Sequence, residues 1–564
     1  MLAGILEPVF AIRTEDDLGL GDTEGVRQMI DWCARHRLNI FQTLPINETS
    51  DDHSPYNAIS AMAIEPGTIA LSPRHLPDLT PVEFQQLTPP RLLAELRGGR
   101  VNYNKVKALK RALLQAAFDE FSRRHLRKQT ERDAEFLRFL LANTWIRGYA
   151  RFRMLMEENG NLPDWERWPP EHQTPQLAGS WLLSLPEERR AALASRQLFF
   201  CYVQWIAFGQ WQAVKSYADE RGVLLMGDIP FGVGRCSADV WANREIFDLD
   251  WSGGAPPETV FKVDPFTEKW GQNWGIPIYR WDVLRRSGFD WWRTRIGNVR
   301  RNFHLYRIDH ALGFFRLYSF PWTPDRNAEF LPLDETQAAA KTDGRLPAFK
   351  QFPDDTPEHK AANQRQGEEL LRLVLETSGD TGVIAEDLGV VPDYVPVTLR
   401  KLGLPGFRIP AFLRENDGSY SDPANYPRIS LTQPATHDHP PLAAAWAECW
   451  RNIDAGHNAS QNRREIRHIM DFAGLGTEAA PREWSDRLHT GYLRRIAQSN
   501  SKYVVVMITD VFGQTARFNT PGSVSDDNWS TRMAQTVAGL EQDPILLAKT
   551  ITFTRLVEEA GRGA

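Results

Sequence analysis

Cysteine is scarce in this chain. Four residues in 564, Cys33, Cys201, Cys236 and Cys449, lie far apart and form no CxxC pair. That excludes a zinc ribbon or a thioredoxin-type redox motif. Scattered thiols in so long a chain fit a reducing compartment, so a cytoplasmic location is expected. The N-terminal text MLAGILEPVFAIR has no basic n-region and no small-residue cleavage site, and reads as mature sequence. No apolar run approaches the ~18 residues of a membrane span, so no membrane association is expected. Neither charge sign dominates: 66 Lys and Arg stand against 72 Asp and Glu. A broad nucleic-acid surface needs clustered basic residues, so nucleic acid is excluded as a partner. There is no internal repeat and no long low-complexity tract.

What is present is an ordinary globular balance, 42% hydrophobic and 24% charged, with a high count of 19 Trp that leans toward a carbohydrate site. Eight short apolar runs read as buried strands separated by amphipathic helices. They are PVFAI (8–12), NIFQTLPI (39–46), VLLMGDIPFGV (223–233), HLYRIDHA (304–311), GVIAEDLG (382–389), GFRIPAFL (406–413), RISLTQPATHD (428–438) and YVVVMITDVF (503–512). Between the first two, Val26, Met29, Ile30 and Cys33 share one helix face. Such alternation predicts an α/β fold, a parallel (β/α)8 TIM barrel with large, mostly helical insertions. The expected division is strands 1–2 in 1–74, a helical insertion in 75–200, strands 3–4 in 201–313 and a loop and helix insertion in 314–380. Strands 5–7 follow in 381–439, a third, helical insertion in 440–500, and strand 8 with C-terminal helices in 501–564.

In such a barrel the chemistry gathers at the C-terminal strand ends. Carboxylates stand there at Asp228, Asp309, Glu386 with Asp387, and Asp438. A single strand-end Asp reads most simply as a helix cap. Several on one rim repel one another, and a site that keeps them uses them. Two neighbouring carboxylates suit retaining glycoside chemistry, one as nucleophile and one as acid then base. Asp309 and Glu386 fall on adjacent predicted strands. Arg307, two residues before Asp309, points the same way and would keep it ionised. Glu386 then needs a raised pKa. His437 and Asp438 form a polar pair suited either to gripping sugar hydroxyls or to a supporting hydrogen-bond role.

Several further segments complete a pattern: SPYNAISA (54–61), QWQAVKSYADERG (210–222), GDIPFGV (227–233), SADVWANREIFDLD (237–250), GQNWGIPIYRW (271–281), YRIDH (306–310), IAEDLGV (384–390), GLPGFR (403–408), THD (436–438) and FNTPG (518–522). In order and spacing the chain resembles the 4-α-glucanotransferases of glycoside hydrolase family 77, the amylomaltases or disproportionating enzymes. GAPPE (254–258), GQNWG and RIDHALGFFR look most like the plant-type cytosolic form. The resemblance implies a TIM barrel that cleaves α-1,4-glucans or malto-oligosaccharides and passes the fragment to the 4-hydroxyl of an acceptor such as glucose or maltose. It implies Asp309 as nucleophile, Glu386 as acid/base and Asp438 as the third carboxylate. Arg307, His437, Tyr56, Asp239, Gln272, Trp274 and Asn519 match positions that line substrate subsites. No metal and no organic cofactor is implied. One departure is His439, where Asn is common after the His-Asp pair.

Rival readings are weaker. GVGRCS (232–237) lacks the third Gly of a dinucleotide loop. The HDH triplet 437–439 resembles a metal pair, but the only other strand-end His is His310. Two alternatives remain open at this point: a hydrolase on the same scaffold, and a glycan-binding barrel without catalysis.

Overall fold

The computed structural model describes residues 1–257, 264–521 and 525–563; Glu258 of GAPPE and Gly522 of FNTPG fall outside them. Twelve strands are present among these residues. They are β1 Leu2–Leu6, β2 Ile40–Gln42, β3 Leu224–Pro230, β4 Phe247–Ala255, β5 Gln272–Tyr279 and β6 Leu305–Asp309. The remainder are β7 Leu317–Phe320, β8 Ala348–Lys350, β9 Gly382–Ala385, β10 Gly406–Arg408, β11 Ser430–Thr432 and β12 Tyr503–Met507. Eight close into a barrel in the order β1-β12-β11-β10-β9-β6-β3-β2, and every pair is parallel. The chain therefore has the (β/α)8 architecture with many added helices.

Seven of the barrel strands lie within the apolar runs read from sequence; the first does not. PVFAI was expected as strand one, but Val9–Ala11 is a 3-10 turn and the strand is Leu2–Leu6. Pro8 has no N–H for a ladder, and its carbonyl instead accepts the N–H of Ala11 at 2.9 Å. Leu2–Leu6 pairs with β12 along its whole length and with β2 at its end. The helix Thr23–Arg35 packs Val26, Met29, Ile30 and Cys33 wholly inside. Its first turn is capped by Asp22, which accepts N–H bonds from Glu24 and Gly25.

The helical additions fill two regions. Helices from Pro81–Leu87 to Glu187–Glu220 follow β2, and the last runs unbroken for 34 residues. Leu442–Asp454, Ala459–Phe472 and Asp486–Ala497 follow β11. A second sheet was not expected from the sequence. β5, β4, β7 and β8 form an antiparallel sheet in that order, assembled from the segments after β3 and after β6. Its small core holds Trp270, Phe320, Trp322 and Phe330, with Trp322 stacked on Phe330 at 3.8 Å. The two glycines of GQNWG shape its cleft end. Gly275 has φ of +75°, and a Cβ on Gly271 would meet the Ala255 carbonyl oxygen at 2.2 Å.

Glu7, just past β1, is buried at 2% exposure, and burial pushes its carboxyl up to about 8. Its Oε2 has no hydrogen-bond partner among the described residues. A carboxyl with a raised folded pKa stays protonated while the unfolded chain has already ionised. Stability is thus lost as pH rises from about 4.5 to about 8. Glu7→Gln should raise the melting temperature at pH 8 by on the order of 2 °C or more, and by less at pH 5. Equal shifts at the two pH values, by calorimetry, would contradict this origin.

Candidate active site

The C-terminal ends of the barrel strands open into a cleft of about 1130 Å³. Two features of β3 and β6 set its floor. Asp228 lies beside Arg307 in the parallel register, and Asp309 follows two residues on, beside Pro230. Period-two alternation therefore turns Arg307 and Asp309 to the same side. Arg307, only 5% exposed, donates to Asp228 Oδ2 at 2.7 Å and to Asp309 Oδ1 at 2.6 Å. The nitrogen bound to Asp309 is also 4.0 Å from Glu386 Oε2. Tyr56, from the SPYN loop after β2, donates its hydroxyl to Asp228 Oδ2 at 2.7 Å.

Glu386 directly follows β9, next to β6. Its backbone is tied across by Glu386 N–H to the Ile308 carbonyl and Ala311 N–H to the Glu386 carbonyl, both at 3.0 Å. Both carboxyl oxygens accept backbone N–H bonds: Oε2 from His310 and Oε1 from Leu388, each at 2.7 Å. His310 aims its N–H this way from a left-handed conformation, φ 50°, ψ 53°. Burial is the largest influence on Glu386 and the Asp309 charge adds to it. Arg307 and the two N–H groups oppose them, and the carboxyl ends raised to about 7. Asp228 is likewise raised to about 7 by burial, against the pull of Arg307. The Arg307 guanidinium is held firmly charged, because the surrounding acids outweigh its burial.

Asp438 ends the segment after β11. Its Oδ1 accepts from Asn519 Nδ2 at 2.6 Å, and His437 Nε2 is 3.4 Å from Oδ2. Burial would raise its pKa, but His437 and the Asn519 bond outweigh it and hold the carboxylate below its usual range. Its side chain is 42% exposed to the cleft. Burial is the largest influence on His437 and lowers its pKa, opposed by the Asp438 charge. The His437 ring stacks on Tyr56 at 4.9 Å and 9°, and both lie near Trp529. His439 turns back to Thr436 Oγ1, 2.7 Å away. On the opposite wall Trp274, 38% exposed, meets the His310 ring edge-on at 4.8 Å and donates to Gln272 at 3.1 Å.

Nine of the ten side chains singled out in the sequence line this cleft: Asp309, Glu386, Asp438, Arg307, His437, Tyr56, Gln272, Trp274 and Asn519. Asp239 does not. It is buried in the short helix Ala238–Ala242, where its carboxylate accepts the Ala61 N–H at 2.7 Å. It braces the loop that carries Tyr56 and is not placed to meet a sugar. Three residues that were not assigned to the site take part in it. Asp228 was visible as a strand-end acid. Trp529 and Arg517 sit in polar text with no pattern to mark them. Arg517 donates to the carbonyls of Asp438 and Asn519, both at 2.6 Å, and so pins these two residues together. Among the described residues no group of three or more His, Cys, Asp or Glu is placed to hold a metal ion. No helix among them is long and apolar enough to cross a membrane.

Comparison with known proteins agrees with this architecture. The model of glycoside hydrolase family 77, described as 4-alpha-glucanotransferase, matches residues 7–537. The 4-alpha-glucanotransferase of Thermus thermophilus is 31% identical over 501 residues, 87% of each chain. That of Chlamydia caviae is 30% identical over 549 residues, 95% of this chain and 91% of the relative. Among solved structures, the amylomaltase of Streptococcus agalactiae, determined in complex with acarbose, covers both chains completely. Its TM-score is 0.72 at 23% identity, a likeness of fold. The chain belongs to the 4-alpha-glucanotransferase family, glycoside hydrolase family 77.

Proposed function

We propose that this 4-α-glucanotransferase works by a retaining, two-step mechanism on α-1,4-glucans and malto-oligosaccharides. Asp309 attacks the anomeric carbon, and Glu386 protonates the departing glycosidic oxygen. Glu386, now a base, takes the proton from the 4-hydroxyl of an acceptor such as glucose or maltose, which displaces Asp309. The observation that carries this reading is the shared arginine. One nitrogen of Arg307 lies 2.6 Å from Asp309 and 4.0 Å from Glu386. Two carboxylates within reach of one nitrogen support the close pair that a retaining mechanism uses. Arg307 donates to Asp309 Oδ1 and so fixes the orientation of the attacking carboxylate. Glu386, raised to about 7, is largely protonated in mildly acidic solution and close to balance at neutrality, so one group serves as acid and then as base.

Asp438, held ionised beside His437 and Asn519, is suited to hold hydroxyls of the sugar being transferred. The aromatic cluster of Tyr56 and Trp529 borders it. Protonation of Glu386 weakens its hold on the two backbone N–H groups, because a neutral carboxyl is the poorer acceptor. The acid form is thereby freed toward the substrate. For the acceptor to win over water, the second step must favour sugar by placement. Trp274 supplies a surface for that beside His310.

Asp309→Asn should lower kcat by at least ~10³-fold on every donor, since the amide is no anionic nucleophile. Glu386→Gln should lose about 10²–10⁴-fold on maltotriose but far less on an α-glucosyl fluoride, which leaves without protonation. Equal losses on both donors, in initial-rate assays, would remove Glu386 from its role.

The pH profile offers a separate check. An acid raised to about 7 must be protonated in the first step, so kcat/KM on maltotriose should fall as pH rises above about 7. The fluoride donor should show a weaker alkaline limb. A limb that is the same on both donors would place the titration elsewhere, for instance on Asp228.

A further inference from the structure

The antiparallel sheet stands beside the reaction centre as a wall with an ordered row across it. Gly254 pairs with Asn273 on one side and with Tyr318 on the other, and Tyr318 pairs with Phe349; Ala255, the next residue along β4, pairs with Gln272. Gly254, Ala255, Gln272, Tyr318 and Phe349 line the cleft. The row begins beside Trp274, which touches His310 next to Asp309. It crosses three strand spacings, ~14 Å, to Phe349, enough for several hexose rings. Tyr318 and Phe349 pack edge-to-face at 5.3 Å and 74°, and both are only half-buried. Phe349 is fixed by the Arg316 guanidinium, 3.7 Å from its ring centre, which is itself tied to Asp354 at 3.0 Å. At Gly254 the row has no side chain. A Cβ there would meet the Gln272 carbonyl oxygen at 1.9 Å and the Phe320 ring at 2.9 Å, so the close strand approach requires glycine at this point.

The position of the wall fixes which part of a glucan it meets. Tyr56, Trp529, Asn519 and the His437–Asp438 pair follow β2, β12 and β11, on one half of the rim. The sheet is inserted after β3 and β6, on the other half, next to β9 and Glu386. Glu386 must reach the oxygen between the transferred and the departing sugar, so the departing chain lies on its side of the cleft. Resting on the retaining-transferase reading, we propose that Tyr318 and Phe349 form a distal subsite for the leaving and the incoming glucan chain. It stacks on a sugar more than one residue beyond the cleavage point and selects long linear acceptors over glucose. The apolar faces of hexose rings match such aromatic surfaces, and the Tyr318 hydroxyl adds a hydrogen-bonding edge.

The test measures transfer from maltotriose to glucose and to maltohexaose as alternative acceptors, in the full-length protein. Wild type should show the lower KM for maltohexaose. Tyr318→Leu with Phe349→Leu keeps apolar volume and removes both rings. It should raise the maltohexaose KM about tenfold, with a smaller change in kcat and in the glucose KM. Tyr318→Phe and Phe349→Tyr keep the rings and should retain the wild-type ratio of the two KM values. Wild type with no preference for the longer acceptor overturns the proposal, and this result needs no variant to fold. So does a double variant, native by circular dichroism, with the wild-type KM ratio. If wild type releases only reducing sugar without redistributing chain lengths, the transferase reading fails instead. The subsite would then appear as a donor-length dependence of hydrolysis that the double variant abolishes, and a donor-length dependence unchanged in that variant overturns it too.

Discussion

A single buried cation organises this site. Arg307 is charged, almost wholly enclosed, and in contact with two carboxylates while near a third. Asp228, Asp309 and Glu386 would repel one another strongly in such surroundings, and all three could not stay ionised unaided. The guanidinium makes their proximity tolerable, and its fork geometry reaches Asp228 with one nitrogen and Asp309 with the other. The remaining imbalance is settled by protons: burial leaves Asp228 and Glu386 raised, so the cluster holds its acid near neutrality. Tyr56 extends this arrangement to the cleft surface through its bond to Asp228. Substrate-facing aromatic surface and buried charge are therefore one connected unit.

The barrel supplies the register that makes the unit possible, and the insertions supply what surrounds it. Parallel pairing of β3, β6 and β9 places Asp228, Arg307 and Asp309 on neighbouring strands and Glu386 directly after the third. Loops after β2, β11 and β12 bring Tyr56, the His437–Asp438 pair, Asn519 and Trp529 to one side. The antiparallel sheet brings Trp274, Tyr318 and Phe349 to the other. His310 connects the two levels: its left-handed backbone gives an N–H to Glu386 while its ring meets Trp274. One residue thus touches both the Glu386 carboxyl and the exposed Trp274 ring.

The parts legible in the sequence are those where one local pattern implies one structure. A continuous apolar run such as YVVVM reads most readily as a buried parallel strand, and acids at strand ends mark the rim. The first strand is not legible in this way: LAGIL and PVFAI are equally apolar, and only the missing N–H of Pro8 tells them apart. The second sheet was hidden by its own composition. β4 carries Gly253 and Gly254 and pairs with register shifts, so it shows no alternation. Asp239 stood in a segment that matched the family, yet its carboxylate turns inward to the Ala61 N–H; side-chain direction at a helix start is set by packing that the segment alone does not encode. Trp529 and Arg517 join the cleft through contacts with segments distant in sequence, Trp529 beside Tyr56 and His437 and Arg517 on the Asp438 carbonyl, which leave no local signature.

In the proposed mechanism Arg307 presents Asp309 as a nucleophile that becomes covalently glycosylated. The most direct measurement is mass spectrometry of the protein after brief reaction with a 5-fluoro-α-glucosyl fluoride, a donor whose slow second step accumulates the intermediate. The expected result is a mass increase of one fluoroglucosyl group, located by proteolysis on the peptide carrying Asp309 and absent from Asp309→Asn. No adduct, together with inverted anomeric configuration in the fresh product of an ordinary donor, would contradict it.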